Sequence, residues 1–177
     1  MSRQLIHFVG GGNMATAMIQ GLEGLEEPPS LLVIDPDDAA RARHAAAGRA
    51  TRADVAEVHG VQVAILAFKP QHFSGAAAGL TAALADEALV ISIMAGLSTS
   101  TIARALGGAR VVRVMPNTPM AIGWGMSGVA AGSRATEADL AVAEQICGAS
   151  GEVLRVTEDK MDEVTAISGS GPAYFFR

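Results

Sequence analysis

The chain has one cysteine, few aromatic side chains, no run of basic residues and no apolar stretch long enough to cross a bilayer. The lone Cys147 excludes an intramolecular disulfide and fits a reducing compartment. It falls in a helical pattern, where cysteine serves as a small core residue rather than a nucleophile. Only 4% of residues are aromatic, which argues against an aromatic-rich binding surface. Charged residues make up 18% with a formal net charge of −5, so no nucleic-acid partner is expected. The longest apolar stretches, 61–68 and 88–97, fall short of the ~20 residues that span a bilayer, so no membrane partner is expected either. The N-terminus has Arg3 but too short an apolar run before Gly10 for a secretory signal. His7, His44, His59 and His72 have no ligand spacing, there is no Cys/His cluster, and no Ser-His-Asp set is evident. The chain reads as cytoplasmic, soluble and globular.

What the chain does have is alternation. Half its residues are hydrophobic, and short apolar runs alternate with stretches of helical spacing. That pattern predicts an α/β fold of the Rossmann type: a doubly wound, mainly parallel sheet with helices on both faces. At 177 residues the chain suits one full domain plus a short remainder. Predicted strands are 5–9, 31–34, 61–67, 89–94, 111–115, a shorter 127–131, and 152–156. Helices are expected over 13–22, from Asp35 as N-cap to Gly48, through Phe73, Ala77, Leu80 and Leu84, and from Ser98 or Thr99 to Gly107. Two more follow a capping box at Thr136–Asp139 and a cap at Thr157. The segment 49–58 is weakly marked, and 117–125 reads as a loop.

The organising stretch is Gly10-Gly11-Gly12-Asn13-Met14-Ala15, directly after the first strand. Gly10, Gly12 and Ala15 fit G-x-G-x-x-A on a strand-to-helix turn. Gly10 allows a tight turn, Gly12 leaves no Cβ between backbone and pyrophosphate, and Ala15 lets the helix lie close on the strand. The helix N-terminus offers unpaired N–H groups and a positive dipole end to phosphates. Alone, the pattern also fits a plain tight corner. Four further segments share its location: Asp35, Lys69-Pro70, Ala95-Gly96 and Met115–Pro119 each follow the carboxyl end of a predicted strand. With strand order 3-2-1-4-5-6, these ends lie along one edge, where ligands bind, and the first and fourth strands border the crevice.

Asp35 lies 20 residues after Ala15, where an acid bonds ribose hydroxyls, or else it caps a helix; one carboxylate can do both. An acid there would repel a 2′-phosphate and favours NADH. Arg41 and Arg43 lie too far into the helix to be assigned to such a phosphate. Lys69, ahead of Pro70, frames the nicotinamide half of a cofactor or is an ordinary solvated lysine. Asn117 and Thr118, between two prolines, form a rigid wall or a stiff turn. Ser168-Gly169-Ser170-Gly171-Pro172 offers hydroxyls and N–H groups to a small anion, or is a hinge.

Together, the stretches Val9–Ala15, Ala67-Phe68-Lys69-Pro70-Gln71, Ile91–Gly96, Val112–Pro119 and Asp162–Tyr174 resemble the pyrroline-5-carboxylate reductases. Met-Pro-Asn-Thr-Pro and Ser-Gly-Ser-Gly-Pro-Ala-Tyr are the specific parts of that resemblance, which covers essentially the whole chain. It implies hydride transfer from NADPH or NADH to the C=N carbon of 1-pyrroline-5-carboxylate, giving L-proline. It also implies cofactor contacts at Val9, Gly10, Gly11, Gly12, Asn13, Met14, Ala15, Asp35, Ala67, Phe68, Lys69, Pro70, Met94, Ala95, Gly96 and Asn117. Substrate contacts are implied at Ser168, Ser170 and Gly171, with no catalytic side chain assigned and no metal. Many members carry small hydroxyl residues near Asp35, and several of those prefer NADPH. Members continue into a helical domain that makes a homodimer or higher homo-oligomer and holds the substrate carboxylate. Residues 1–164 are therefore expected to be the dinucleotide-binding domain and 165–177 the opening of the second, with poor catalysis by this chain alone. The other readings are another NAD(P)-dependent reductase of this architecture, or a non-catalytic nucleotide-binding or interaction module docking through Tyr174-Phe175-Phe176.

Overall fold

The apolar runs become strands because helices cover both faces of the sheet they form. The structure, a computed structural model, describes residues 4–169. The strands are β1 (Leu5–Val9), β2 (Ser30–Ile34), β3 (Ala50–Arg52), β4 (Val61–Leu66), β5 (Leu84–Ser92), β6 (Arg110–Met115), β7 (Gly125–Ala131) and β8 (Gly151–Arg155). They form one sheet of order β3-β2-β1-β4-β5-β6-β7-β8. All neighbours pair parallel except β6 and β7, which the Pro116–Trp124 connection joins antiparallel.

The helices are α1 (Asn13–Glu23), α2 (Asp38–Ala46), α3 (Phe73–Ala83), α4 (Thr99–Ala105), α5 (Glu137–Gly148) and the short α6 (Met161–Val164). On one face, Ile6 and Phe8 of β1 pack with Met18, Ile19 and Leu22 of α1 and Ala143, Ile146 and Cys147 of α5. On the other, Leu66, Val90 and Val111 pack with Phe73 and Leu80 of α3 and Ile102 of α4. Strand side chains alternate between faces, so a strand buried on both reads as a continuous apolar run. Burying each such side chain contributes roughly 1.5–3 kcal/mol.

Several boundaries differ from the expectations. The weakly marked 49–58 segment contains β3, an edge strand in which Ala50 and Arg52 are exposed and Thr51 half-buried, held by pairing with Leu32, Val33 and Ile34. Leu84, expected on a helical face, opens β5 instead, where it pairs with Val61 and packs against the Val61, Ala64 and Ala83 cluster. Asp35 is not the cap of α2: Asp37 accepts from the Ala39 N–H at 3.0 Å, because both Asp35 oxygens are engaged elsewhere. Thr157 makes no capping bond, and a 3-10 turn (Glu158–Lys160) precedes α6. The 117–125 loop holds a 3-10 turn over Thr118–Ile122. The Thr136–Asp139 capping box forms as expected, and Ser98 rather than Thr99 caps α4. No helix among the described residues is long and apolar enough to cross a membrane.

Candidate functional site

Winding reverses between β1 and β4, and their carboxyl ends open a cleft of about 1190 Å³. That exceeds the ~300–1,000 Å³ of a typical small-molecule site and suits an extended ligand. Of the residues singled out from the sequence, Val9, Gly10, Gly12, Asp35, Ala67, Phe68, Lys69, Pro70, Met94 and Ala95 line it. Gly11, Asn13, Met14, Ala15, Gly96, Asn117 and Ser168 are not in the lining. Ser170, Gly171 and the Tyr174–Phe176 stretch lie outside the described residues.

The three glycines do three different things. Gly10 has φ +100°, and a Cβ there would come within 2.6 Å of the Ala67 carbonyl oxygen. Its N–H donates to the Ile34 carbonyl at 2.8 Å, and the Ala67 N–H donates to Val9 at 2.7 Å, so the turn ties β1 to both neighbours. Gly12 is the N-cap of α1 with φ −72°, and a Cβ on it would meet nothing within 4 Å. It borders open cleft, and no side chain caps the helix it starts. Those features fit a pyrophosphate: backbone without a Cβ in the way, and uncapped first-turn N–H groups at a positive dipole end. Ala15 is fully buried against the sheet, as a close helix–strand contact requires.

Gly11 is held from both sides. Its N–H donates to Asp35 Oδ2 at 2.6 Å, and its carbonyl lies 3.0 Å from His44 Nε2. A carbonyl only accepts, so Nε2 carries the proton, and Nδ1 accepts from Arg49 Nη1 at 3.0 Å. Arg49 in turn grips both oxygens of Glu23, at 2.7 and 2.8 Å. That bond holds the Glu23 carboxyl below its usual range and raises the Arg49 guanidinium. This relay from Glu23 to the glycine turn has no signature in the sequence, where His44 stands only as a residue without metal-ligand spacing. The one positional hint was His44 lying one helical turn after Ala40, both on the inward face of α2.

Asp35 Oδ1 accepts from the Asp37 N–H at 2.9 Å, so two backbone donors fix the carboxylate at the cleft wall. Arg41 reaches back further than its place in the helix implied. Its Nη1 donates to the Asp35 carbonyl at 2.7 Å, and its Nη2 pairs with Asp38. Across the crevice, exposed Lys69 precedes a 3-10 turn that starts at Pro70. Met94 is buried, with its N–H on Ser92 Oγ at 3.3 Å. The turn after it is anchored at Thr99, whose N–H and hydroxyl donate to the two Glu158 oxygens at 2.5 and 2.6 Å.

Asn117 joins two of the expected regions. Its Nδ2 donates to Ser168 Oγ at 3.1 Å, and its Oδ1 accepts from the Met126 N–H at 2.9 Å. Nearby, Arg113, 4% exposed, donates to Asp162 of α6 at 3.1 Å. Cys147 lies in the core, where burial pushes its thiol up to about 12. Among the described residues, no group of three or more His, Cys, Asp or Glu side chains could hold a metal ion. The cleft thus offers an anion cradle, a fixed acid beside it and apolar walls opposite.

Comparison with known proteins agrees with this fold. A family model described as NADP oxidoreductase, coenzyme F420-dependent, matches residues 5–96. A pyrroline-5-carboxylate reductase of Haemophilus influenzae is 39% identical over 99% of this chain and 66% of its own length. One from Methanosarcina acetivorans is 39% identical over 99% of this chain and 67% of its own. The solved pyrroline-5-carboxylate reductase of Coxiella burnetii superposes with a TM-score of 0.88 at 34% identity, covering 97% of this chain and 66% of that one. The fold also matches a Plasmodium falciparum pyrroline carboxylate reductase solved with NADP bound, at TM-score 0.81 and 24% identity, over 97% of this chain and 64% of that one. This chain spans about two thirds of the length of the curated relatives it matches. On these matches, the chain belongs to the pyrroline-5-carboxylate reductase family.

Proposed function

We propose that the chain binds NADH or NADPH in the β1–β4 cleft and is the dinucleotide-binding part of a reductase that converts 1-pyrroline-5-carboxylate to L-proline. The observation that carries this reading is the open Gly12 backbone joined to an uncapped α1 N-terminus at the point where the sheet reverses. Bound there, the dinucleotide supplies a hydride for the C=N carbon. The chain's own residues act by placement. The Val9–Ala15 turn would hold the pyrophosphate, and Asp35 would accept the ribose hydroxyls. Ala67–Pro70 and Met94–Gly96 would wall the nicotinamide half and keep water out. A protonated cyclic imine is already a good electrophile, so orientation and dryness account for what is asked of the protein.

Ser168, whose hydroxyl accepts from Asn117 just past the end of β6, would meet the substrate together with Ser170 and Gly171. Residues 1–164 would form the dinucleotide-binding domain and 165–177 the opening of a substrate and dimerisation domain. The chain spans about two thirds of the length of its curated relatives, and dinucleotide binding is the step its described residues support. Exposed Ile122 and Trp124 support a homo-oligomer as the working assembly. The single buried thiol is consistent with a cytoplasmic setting. Calorimetric titration with NADH and NADPH, followed by a proline assay, tests the reading. Saturable binding of at least one dinucleotide is expected. Binding of neither, or faster turnover of a 2-hydroxy acid than of the imine, would overturn it.

A further inference from the structure

The family description and the Plasmodium relative both point to NADP, yet the ribose end of this cleft is built from carboxylates. Resting on the dinucleotide reading above, we propose that this chain selects NADH over NADPH, with Asp35 as the specificity-determining residue. Asp35 stands at the end of β2 and is held by two backbone donors, Gly11 at 2.6 Å and Asp37 at 2.9 Å. It cannot turn from the cleft without breaking both charge-assisted bonds. Each oxygen keeps acceptor capacity, which two ribose hydroxyls can fill. A 2′-phosphate instead brings about −1.5 to −2 charge against that fixed acid.

Among the lining residues, no lysine or arginine stands on this side of the cleft. Asp37 and Asp54 line the same end of the cleft, and Asp38 opens α2. Arg41 is committed to the Asp35 carbonyl and to Asp38. Arg52 donates to the Thr51 carbonyl at 2.8 Å and lies 4.0 Å from Glu57. Arg43 sits in the last turn of α2 and is not in the lining. Lys69 and His72 do line the cleft, but they follow β4, across the crevice. Freeing Arg41 for a phosphate would undo contacts that shape the Asp35 turn itself.

The test titrates the full chain with NADH and with NADPH, reading the reduced-nicotinamide fluorescence. NADH should bind at least about tenfold more tightly, a gap that added salt narrows. Asp35→Ser should bring the ratio towards one while weakening NADH. Both ligands are read on the same protein, so a general loss of folded material cancels. Asp37→Asn keeps a capping side chain and removes one charge, and should lower the ratio by less. NADPH binding as tightly as NADH overturns the selectivity while leaving the dinucleotide reading intact. An unchanged ratio in Asp35→Ser overturns the role of Asp35. Binding of neither dinucleotide overturns the inference and the reading beneath it together.

Discussion

Alanine at Gly10 and alanine at Gly12 should separate folding from binding within one turn. At Gly10 the backbone sits at φ +100°, and the new Cβ would lie 2.6 Å from the Ala67 oxygen, 2.7 Å from its carbonyl carbon and 2.9 Å from the Phe68 nitrogen. All three are backbone atoms of the neighbouring strand end, so no side chain can swing away. The left-handed backbone costs roughly 1–2 kcal/mol for an L-residue. Forcing a methyl into a filled site adds roughly 1–3 kcal/mol. The sum is about 2–5 kcal/mol, which in a chain of this size lowers Tm by roughly 5–20 °C. At Gly12, φ is −72° and nothing lies within 4 Å, so alanine fits the apo protein. There the lost glycine entropy and the poorer N-cap roughly offset, leaving stability within about 1 kcal/mol. The methyl would instead occupy the space assigned to the pyrophosphate. Thermal melts and dinucleotide titrations on the two variants decide the matter. Gly12→Ala should melt like the parent and bind at least about tenfold more weakly, a loss of about 1.4 kcal/mol. A stable Gly10→Ala, or a Gly12→Ala that binds normally, would refute the division of labour.

Other consequences can be checked directly. Glu158→Ala leaves the buried Thr99 N–H and hydroxyl without their partners, so stability should fall by about 1–3 kcal/mol with faster amide exchange around residues 97–101. His44→Ala removes the donor to the Gly11 carbonyl and the acceptor for Arg49; dinucleotide affinity should drop several-fold, more than the small change in Tm would explain. Burial lowers the His7 pKa from 6.5, against a smaller opposing backbone bond at Val63. The unfolded chain then binds a proton that the folded one refuses, so stability falls as pH drops below about 6.5. His7→Gln should flatten the melting-temperature profile between roughly pH 5 and 6.5, above the range where Glu23 titrates. Cys147, with its thiol pushed up to about 12, should resist alkylation at pH 8 until the chain is denatured; rapid labelling of the native protein would contradict its burial.

The sheet was legible because Val61–Leu66 and Arg110–Met115 are runs that only a doubly covered strand can bury, and because each is followed by breakers. β3 was not, since an edge strand of three residues carries no apolar signal. Asp35 illustrates a different limit. Spacing placed it at the ribose end of the cleft, but its choice between capping α2 and holding Gly11 depends on which N–H lies within reach. That is a property of the fold: the Gly11 N–H approaches to 2.6 Å only because β1 and β2 pair in register from Leu5–Ser30 to Val9–Ile34. The Glu23–Arg49–His44 relay was invisible for the same reason, joining residues 26 apart across a helix and the loop before β3. Where a contact is local, as in the Thr136–Asp139 capping box, the residues themselves announce it.

Hydrogen exchange with and without saturating NADH would show where the dinucleotide lies. Slowed exchange is expected at the Val9–Ala15 turn, at Asp35–Asp37, at Ala67–Pro70 and at Met94–Gly96, with little change along α5. Protection centred elsewhere, or none at the glycine turn despite bound dinucleotide, would contradict it.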